Sequence, residues 1–448
     1  MTSTFPDLST ISEVIPLLKE EDHEIASNNR PLSLLEVVSQ VCEKVVLNQF
    51  SSYLKEFNRI SSHQSGNRSL HSTETLNIFV TDTMLEAIDN KKLTALILLD
   101  LSKAFDSVSH SILLHKLSCI GASPEAVKWF QEYLIGRSQY VRIGSTKSSA
   151  RPITHGVPQG AILSPLLFCI YINDLPGSIQ SCNLDSYVDD SKLYKSFCIY
   201  DLEQTTINLE ADLQIVAKWC LEHQLLINPE KTKFLVVGKT IRPVFLAKDL
   251  GINLDSYLSY DDHISKLVSS CMRKLCQINR VKDSFDNETL KLVIETLVIS
   301  KLLYCSTVWS NTSSNNINKL QSVQNFACRV ISGVGKFDHI TPTLRELNWL
   351  PVEKLLLEME TVMAYKCFNG LAPDYLVDKF IKRSDIHDRS TRNHDLLDIP
   401  LYKTAAGQRT FNYRDVKIWN DLDDKLKNFT SITIFKKELR EILLKESY

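Results

Sequence analysis

Apolar residues along this chain recur with two alternating periods, and the alternation predicts a mixed fold. Leu34, Val38, Val41 and Val45 stand three or four residues apart, so residues 31–56 read as an amphipathic helix with those four on one face. Ser61 to Thr75 (SSHQSGNRSLHSTET) has a loop's composition, and residues 75–91 return to helical spacing. Thr94 to Leu99 (TALILL) is a short apolar run that stops at Asp100, the pattern of a buried strand with a carboxylate at its tip. Residues 110–136 predict helix, Tyr140–Ile143 and Ser149–Thr154 a hairpin, and Gly160–Asp174 a helix entered from a Pro-Gln-Gly turn. Two extended arms from Leu184 to Tyr194 flank Val188-Asp189-Asp190. Leu209, Leu213, Val216 and Cys220 mark another helix, and Lys233–Val237 another strand. From about residue 262 the pattern is almost wholly helical, apart from 384–412. The fold class is α+β, with a small antiparallel sheet followed by a mainly helical C-terminal region.

One late segment has two faces of different chemistry. At about 100° per residue, Ile264, Leu267, Val268, Cys271, Leu275 and Ile278 share one side of a helix over 263–282. Lys266, Arg273 and Arg280, seven apart, fall opposite, with no acidic residue between His263 and Lys282. An apolar back and a basic front suit a helix that tracks nucleic-acid phosphates.

Composition narrows the function classes. With 448 residues, 44% hydrophobic and 23% charged, the chain is neither disordered nor fibrous. Lys and Arg number 51 against 53 Asp and Glu, a net −2, so a polyanion partner must be held by local patches or by metal. Eleven cysteines lie scattered without a CxxC pair, which disfavours a zinc knuckle or a disulfide framework and favours a reducing compartment. The N-terminal residues lack a signal peptide's basic and apolar regions. The longest apolar run, Ala161 to Ile172, is too short to span a bilayer. The reading is of a soluble, intracellular protein with no membrane partner.

Three aspartates carry the candidate chemistry. If the strand ending at Asp100 neighbours the hairpin bearing Asp189 and Asp190, their carboxylates converge at one sheet edge. Convergent carboxylates stay ionised cheaply only beside a cation, and an oxygen-only donor set favours Mg²⁺ or Mn²⁺ over zinc. Two such ions form a device for in-line attack at phosphate.

The order of the motifs is more specific than any one of them. LLDLSKAFDSVSH is followed by GVPQGAILSPLLFCIYINDL, YVDDSKLY and INPEKTKFLVVG, with LNWLP, FNGLAPDYL, GQRTF and WNDL towards the C-terminus. In this order they resemble the reverse transcriptase of non-LTR retrotransposons, in particular the jockey-like and chicken-repeat-type elements, over nearly the whole chain.

The resemblance implies a right-hand polymerase: fingers and palm in 1–254, a helical thumb in 255–335, and a mainly helical region in 336–448. Asp100, Asp189 and Asp190 match the catalytic, metal-holding aspartates, implying two Mg²⁺ ions, with Mn²⁺ able to replace them. Phe105 matches the aromatic gate against a 2′-hydroxyl. Pro158, Gln159 and Gly160 match the motif that packs on template and incoming nucleotide, Gly160 by letting a base pair approach its backbone. Arg68 and Lys231 (or Lys233) match nucleotide-binding positions, Arg30 a template-holding position in the fingers, and Leu250-Gly251-Ile252 the primer grip. Independently of the resemblance, the basic stripe adds Lys266, Arg273 and Arg280 as expected template–primer contacts. The implied partners are an RNA template, a DNA primer or target and deoxynucleoside triphosphates, with a nuclear location expected for function and a cytoplasmic one otherwise. Family proteins carry an endonuclease ahead of the polymerase and this chain starts almost at the polymerase, so autonomous retrotransposition is not expected of this polypeptide. The runner-up is a decayed or co-opted copy that binds RNA without polymerising; a palm-fold cyclase fits the fingers and tail motifs less well.

Overall fold

The computed structural model describes residues 11–19, 24–238, 246–386 and 395–448. In chain order its main elements are β1 (Ile11–Leu18), β2 (Asn29–Leu34), α1 (Val37–Glu56), α2 (Thr73–Asp89), β3 (Leu93–Leu99), α3 (His110–Cys119), α4 (Pro124–Leu134), β4 (Ser138–Ile143) and α5 (Ser164–Tyr171). There follow β5 (Asn183–Tyr187), β6 (Asp190–Phe197), α6 (Leu202–Glu222), β7 (Lys233–Val237), β8 (Ala247–Asp249) and β9 (Ile252–Leu254). The remaining long helices are α7 (Asp261–Val281), α8 (Ser314–Ser332), α9 (Val352–Phe368), α10 (Phe411–Asp421) and α11 (Ile432–Ser447). The chain divides into two compact units, one of residues 1–69, 96–195 and 200–233, the other of 70–95, 196–199 and 234–448.

In the first unit, β1 pairs antiparallel with β2 and parallel with β4. In the same unit β5 and β6 form an antiparallel hairpin in the register Tyr187↔Asp190, and β6 also neighbours β3. The apolar run expected as a strand is β3, and Ala95, Leu96 and Leu99 are buried in it. The helix expected over 110–136 is two, because Gly121 turns the chain at φ +88° and Ser123 caps a new start at Pro124. The hairpin expected between 140–143 and 149–154 is divided: Thr146–Lys147 pairs with Arg142–Ile143, while Arg151–Pro152 pairs with Ser138–Gln139.

The face of α1 departs from its periodicity. Leu34 lies in β2, and Val38, Val41 and Val45 are 60%, 59% and 49% exposed. The buried face is Ser39, Glu43, Phe50 and Leu54 instead. Glu43 explains the rotation: its Oε2 accepts the Ile162 and Leu163 N–H groups at 2.7 and 3.2 Å, just ahead of α5. A carboxylate there satisfies donors that a helix start leaves open, and outweighs burial of valines.

In the second unit, α2 turns carboxylates inward. Asp82 accepts the Phe411 and Asn412 N–H groups at 2.7 and 3.2 Å, at the start of α10, and receives Lys379 at 3.3 Å. Asp89 accepts the Lys403 and Thr404 N–H groups and the Thr404 hydroxyl. Burial pushes the Asp82 carboxyl up, while Lys379 and the two N–H donors pull it down. Arg409 of GQRTF donates to the Tyr257 and Leu258 carbonyls. Trp419 and Trp349 are buried, Trp419 among Tyr365, Phe435 and Leu439. The tail motifs are therefore packing and capping positions. The basic-front helix is α7, with Ile264, Leu267, Cys271, Leu275 and Ile278 buried and Lys266, Arg273 and Arg280 exposed.

The inverted face of α1 has a measurable consequence. Leu54→Ala should cost about 2–5 kcal/mol in urea unfolding, whereas Val41→Ser and Val45→Ser should each stay within about 0.5 kcal/mol.

Candidate active site

One carboxylate stands where β3 ends and another where the β5–β6 hairpin turns, and β3 and β6 are neighbours in one sheet. Asp100 directly follows β3, and the Asn228–Lys233 loop docks on its backbone: Asn228 N–H donates to Asp100 O at 2.7 Å, and Asp100 N–H to Thr232 Oγ at 3.4 Å. The two turn residues of the hairpin are Val188 and Asp189. Burial and the nearby Asp100 charge push the Asp189 carboxyl above the usual carboxylate range, while Arg30 and Lys19 pull it down. Asp190 opens β6 and is exposed. Among the described residues no three His, Cys, Asp or Glu side chains gather as a metal cluster. Asp189 thus feels the like charge of Asp100 and the opposite charges of Arg30 and Lys19.

Around this pair the other sequence candidates take distinct places. The half-buried Phe105 ring stacks on buried Phe168, with centroids 5.0 Å apart. Gln159 Nε2 donates to Asp106 Oδ1 at 2.9 Å, tying the Pro-Gln-Gly turn to the segment that follows Asp100. Ser33 N–H donates to Gln159 O at 2.7 Å, and a Cβ on Gly160 (φ +110°) would lie 2.9 Å from Ser33 O. The close approach at Gly160 is made by β2, so the glycine is already required by the protein's own backbone. A cleft of about 380 Å³ lies among Ser33, Lys103, Asp106, Gly156, Pro158 and Gln159. A larger cavity, about 740 Å³, lies between His110, Gln131 and Arg137 and includes none of the candidates.

Arg68 is turned into its own loop, its Nη1 donating to Ser61 O and Gln64 O at 3.0 and 3.1 Å. Lys231 is exposed on the loop that docks on Asp100, while Lys233 Nζ donates to Glu230 O at 2.7 Å. In the second unit Leu250 and Gly251 form the β8–β9 turn, both at positive φ. Lys266 pairs with Asp262 at 2.8 Å.

The family model described as "Reverse transcriptase (RNA-dependent DNA polymerase)" matches residues 18–270, more than half of the chain. The chain belongs to the reverse transcriptase family. Among its relatives is "Probable RNA-directed DNA polymerase from transposon BS" of Drosophila melanogaster, 28% identical over 377 residues, covering 78% of this chain and 41% of that one. The RNA-directed DNA polymerase from mobile element jockey of Drosophila funebris is 28% identical over 356 residues, covering 73% and 38%. This reverse transcriptase chain thus spans about two fifths of the length of the curated relatives it matches. A telomerase from Candida Tropicalis, solved with a fragment of telomeric RNA, matches with a TM-score of 0.43 at 12% identity, over 78% of this chain and 62% of that one.

Sequence reasoning missed residues behind the reverse transcriptase hairpin. His63 Nδ1 contacts Asp185 Oδ1 at 2.9 Å, and Tyr194 donates to Asp185 Oδ2 at 2.6 Å. Gln64 and Gly66 press on the turn itself. The signal was present in QSGNR, where a glycine of a glycine-poor chain marks a close backbone approach.

The hydrogen bond to Asp185 holds the His63 imidazole above its ordinary 6.5. A raised folded value favours the protonated form, so this stabilisation is complete below about pH 6.5 and is lost as pH rises through the raised value. The thermal midpoint of the protein should fall relative to that of His63→Gln as pH is raised above that point. Parallel curves would show that the contact does not titrate.

Proposed function

We propose that this chain is the polymerase part of a non-LTR retrotransposon protein, and that it copies RNA into DNA. Its fingers and palm lie in 1–254, its thumb in 255–335, and its mainly helical C-terminal region in 336–448. The observation that carries this reading is the placement of Asp100 at the end of β3 and Asp189 in the turn of the β5–β6 hairpin, strands of one sheet, with the Asp100 charge acting on Asp189. The reaction is attack of a primer 3′-hydroxyl on the α-phosphate of a deoxynucleoside triphosphate, templated by RNA.

The residues fit a hard divalent cation. The donors are carboxylate oxygens, one of them pushed up by burial and by the other's charge, an arrangement a cation relieves. Asp100 and Asp189, with Asp190 beside them, would hold Mg²⁺ (or Mn²⁺), which when bound neutralises charge at the reacting phosphate. The chain's own groups position the reactants. Phe105, backed by Phe168, is stiff enough to exclude a ribose 2′-hydroxyl. Gln159, fixed by Asp106, and Gly160 form a floor under the templating pair. Arg30 lends positive charge beside the carboxylates, and Lys231 is on the loop docked to Asp100. Arg68 acts by shaping its loop. Lys266, Arg273 and Arg280 on α7 face the duplex phosphates. The template is RNA, the primer or target DNA, and the workplace the nucleus. No described helix is long and apolar enough to cross a membrane.

Primer extension on poly(rA)/oligo(dT) with Mg²⁺ tests the reading. Wild type should extend, while Asp100→Asn and Asp189→Asn should lose essentially all extension yet keep the fold. In EDTA, Asp189→Asn should raise the thermal midpoint, because a half-buried charge beside a like charge has been removed. A wild type that binds template–primer but extends nothing would establish the RNA-binding, non-polymerising reading instead.

Phe105→Val should raise ribonucleotide relative to deoxynucleotide incorporation; an unchanged ratio would return Phe105 to a packing role.

Neutralising Lys266, Arg273 and Arg280 to Gln should weaken duplex binding and flatten its salt dependence by up to about three phosphate contacts. Arg273 and Arg280 should carry the larger share, since Asp262 already pairs with Lys266. Wild-type affinity and slope in the triple variant would make the stripe a solvated face.

A further inference from the structure

The turn that presents Asp189 is held in a conformation its own sequence resists. Val188 has φ +58°. This is the left-handed region, which suits glycine at the first position of a two-residue hairpin turn and disfavours a β-branched side chain. Such a residue persists only where its surroundings over-determine it.

Those surroundings are the segment His63–Gly66, which runs beside β5. Ser186 N–H donates to His63 O at 2.8 Å, and Ser65 N–H to Ser186 O at 2.9 Å. Gln64, 2% exposed, then grips the turn at both ends of one residue. Its Oε1 accepts the Val188 N–H at 2.9 Å, and its Nε2 donates to Val188 O at 3.2 Å. The Gly66 N–H donates to the same Oε1 at 2.7 Å, which fixes the amide's orientation. Gly66 closes the clamp by contact: a Cβ there would lie 2.5 Å from Val188 Cγ2 and 2.6 Å from Val188 N. Glutamine suits this place because its amide offers an acceptor and a donor side by side without a charge.

We propose that Gln64 is a positioning residue, which holds the Val188 peptide in the left-handed turn and thereby fixes where Asp189 presents its carboxylate to Asp100. This rests on the reading of Asp100 and Asp189 as a working pair. Without the clamp, Val188 relaxes towards negative φ and Asp189, the next residue, is re-aimed.

The test uses the full chain as Gln64→Met, Val188→Gly, the double variant, and Gly66→Ala with and without Val188→Gly. The readouts are Mn²⁺ binding by electron paramagnetic resonance, the thermal midpoint in EDTA, and primer extension split into kcat and template–primer KM. Gln64→Met should weaken Mn²⁺ binding about 10–100-fold, the ordinary effect of losing a group that orients a ligand, and should lower kcat with KM unchanged. Val188→Gly alone should change little. In the double variant it should restore most of the loss, because glycine adopts positive φ without Gln64. Filling space alone gives no such rescue.

Equal impairment of Gln64→Met and the double variant overturns the positioning role. If Gln64→Met does not fold in either background, Gly66→Ala decides. It presses on the same peptide, so weakened Mn²⁺ binding partly relieved by Val188→Gly supports the role, and unchanged binding overturns it. A wild type without Asp189-dependent Mn²⁺ binding overturns the proposed function and this inference with it. A wild type that binds, with no 64–188 coupling, overturns the inference alone.

Discussion

Like charge brought together at a sheet edge is the constraint around which the first unit is arranged. Burial raises the cost of ionising Asp189, and the nearby Asp100 charge adds to it. A fold that keeps such a pair must hold it from outside. It does so through backbone: the Asn228–Lys233 loop on Asp100, the His63–Gly66 segment on the hairpin, and β2 on the Pro-Gln-Gly turn. Arg30, on β2, returns part of the missing charge. Several separated stretches of sequence thus serve one small volume.

The second unit solves a different problem by similar means. The chain starts of α10 and of the 403–404 turn present N–H groups with no intrahelical partner, and Asp82 and Asp89 on α2 supply the acceptors. Lys379, 3.3 Å from both Asp82 and Glu86, offsets the buried charge. This accounts physically for GQRTF. Gly407 stands where a Cβ would meet Asp89 and Tyr402, Arg409 ties to the Tyr257 and Leu258 carbonyls, and Thr410 and Phe411 begin a capped helix. Motifs that identify a family need not mark its chemistry.

Much of this was readable in the chain because it depends on local pattern. β3 is legible as a short apolar run ending at Asp100, and α7 as an apolar stripe opposite Lys266, Arg273 and Arg280, since burial of one face fixes a helix's period. The hairpin bearing Asp189 is legible as two short extended arms. The order of the motifs was enough to indicate the reverse transcriptase family.

Other features depend on partners far away in sequence, which no local pattern contains. The exposed valines of α1 are one case: a carboxylate 119 residues before Ile162 turns the helix so that Glu43, not Val41, faces inward. Gly160 is another, since its missing Cβ makes room for Ser33 on β2. Gln64 is the clearest, reaching 124 residues to a peptide whose own side chain opposes its conformation. Periodicity reports where apolar area is buried. Only tertiary structure decides which backbone groups are left open and which distant side chains satisfy them, because that is settled when the elements meet.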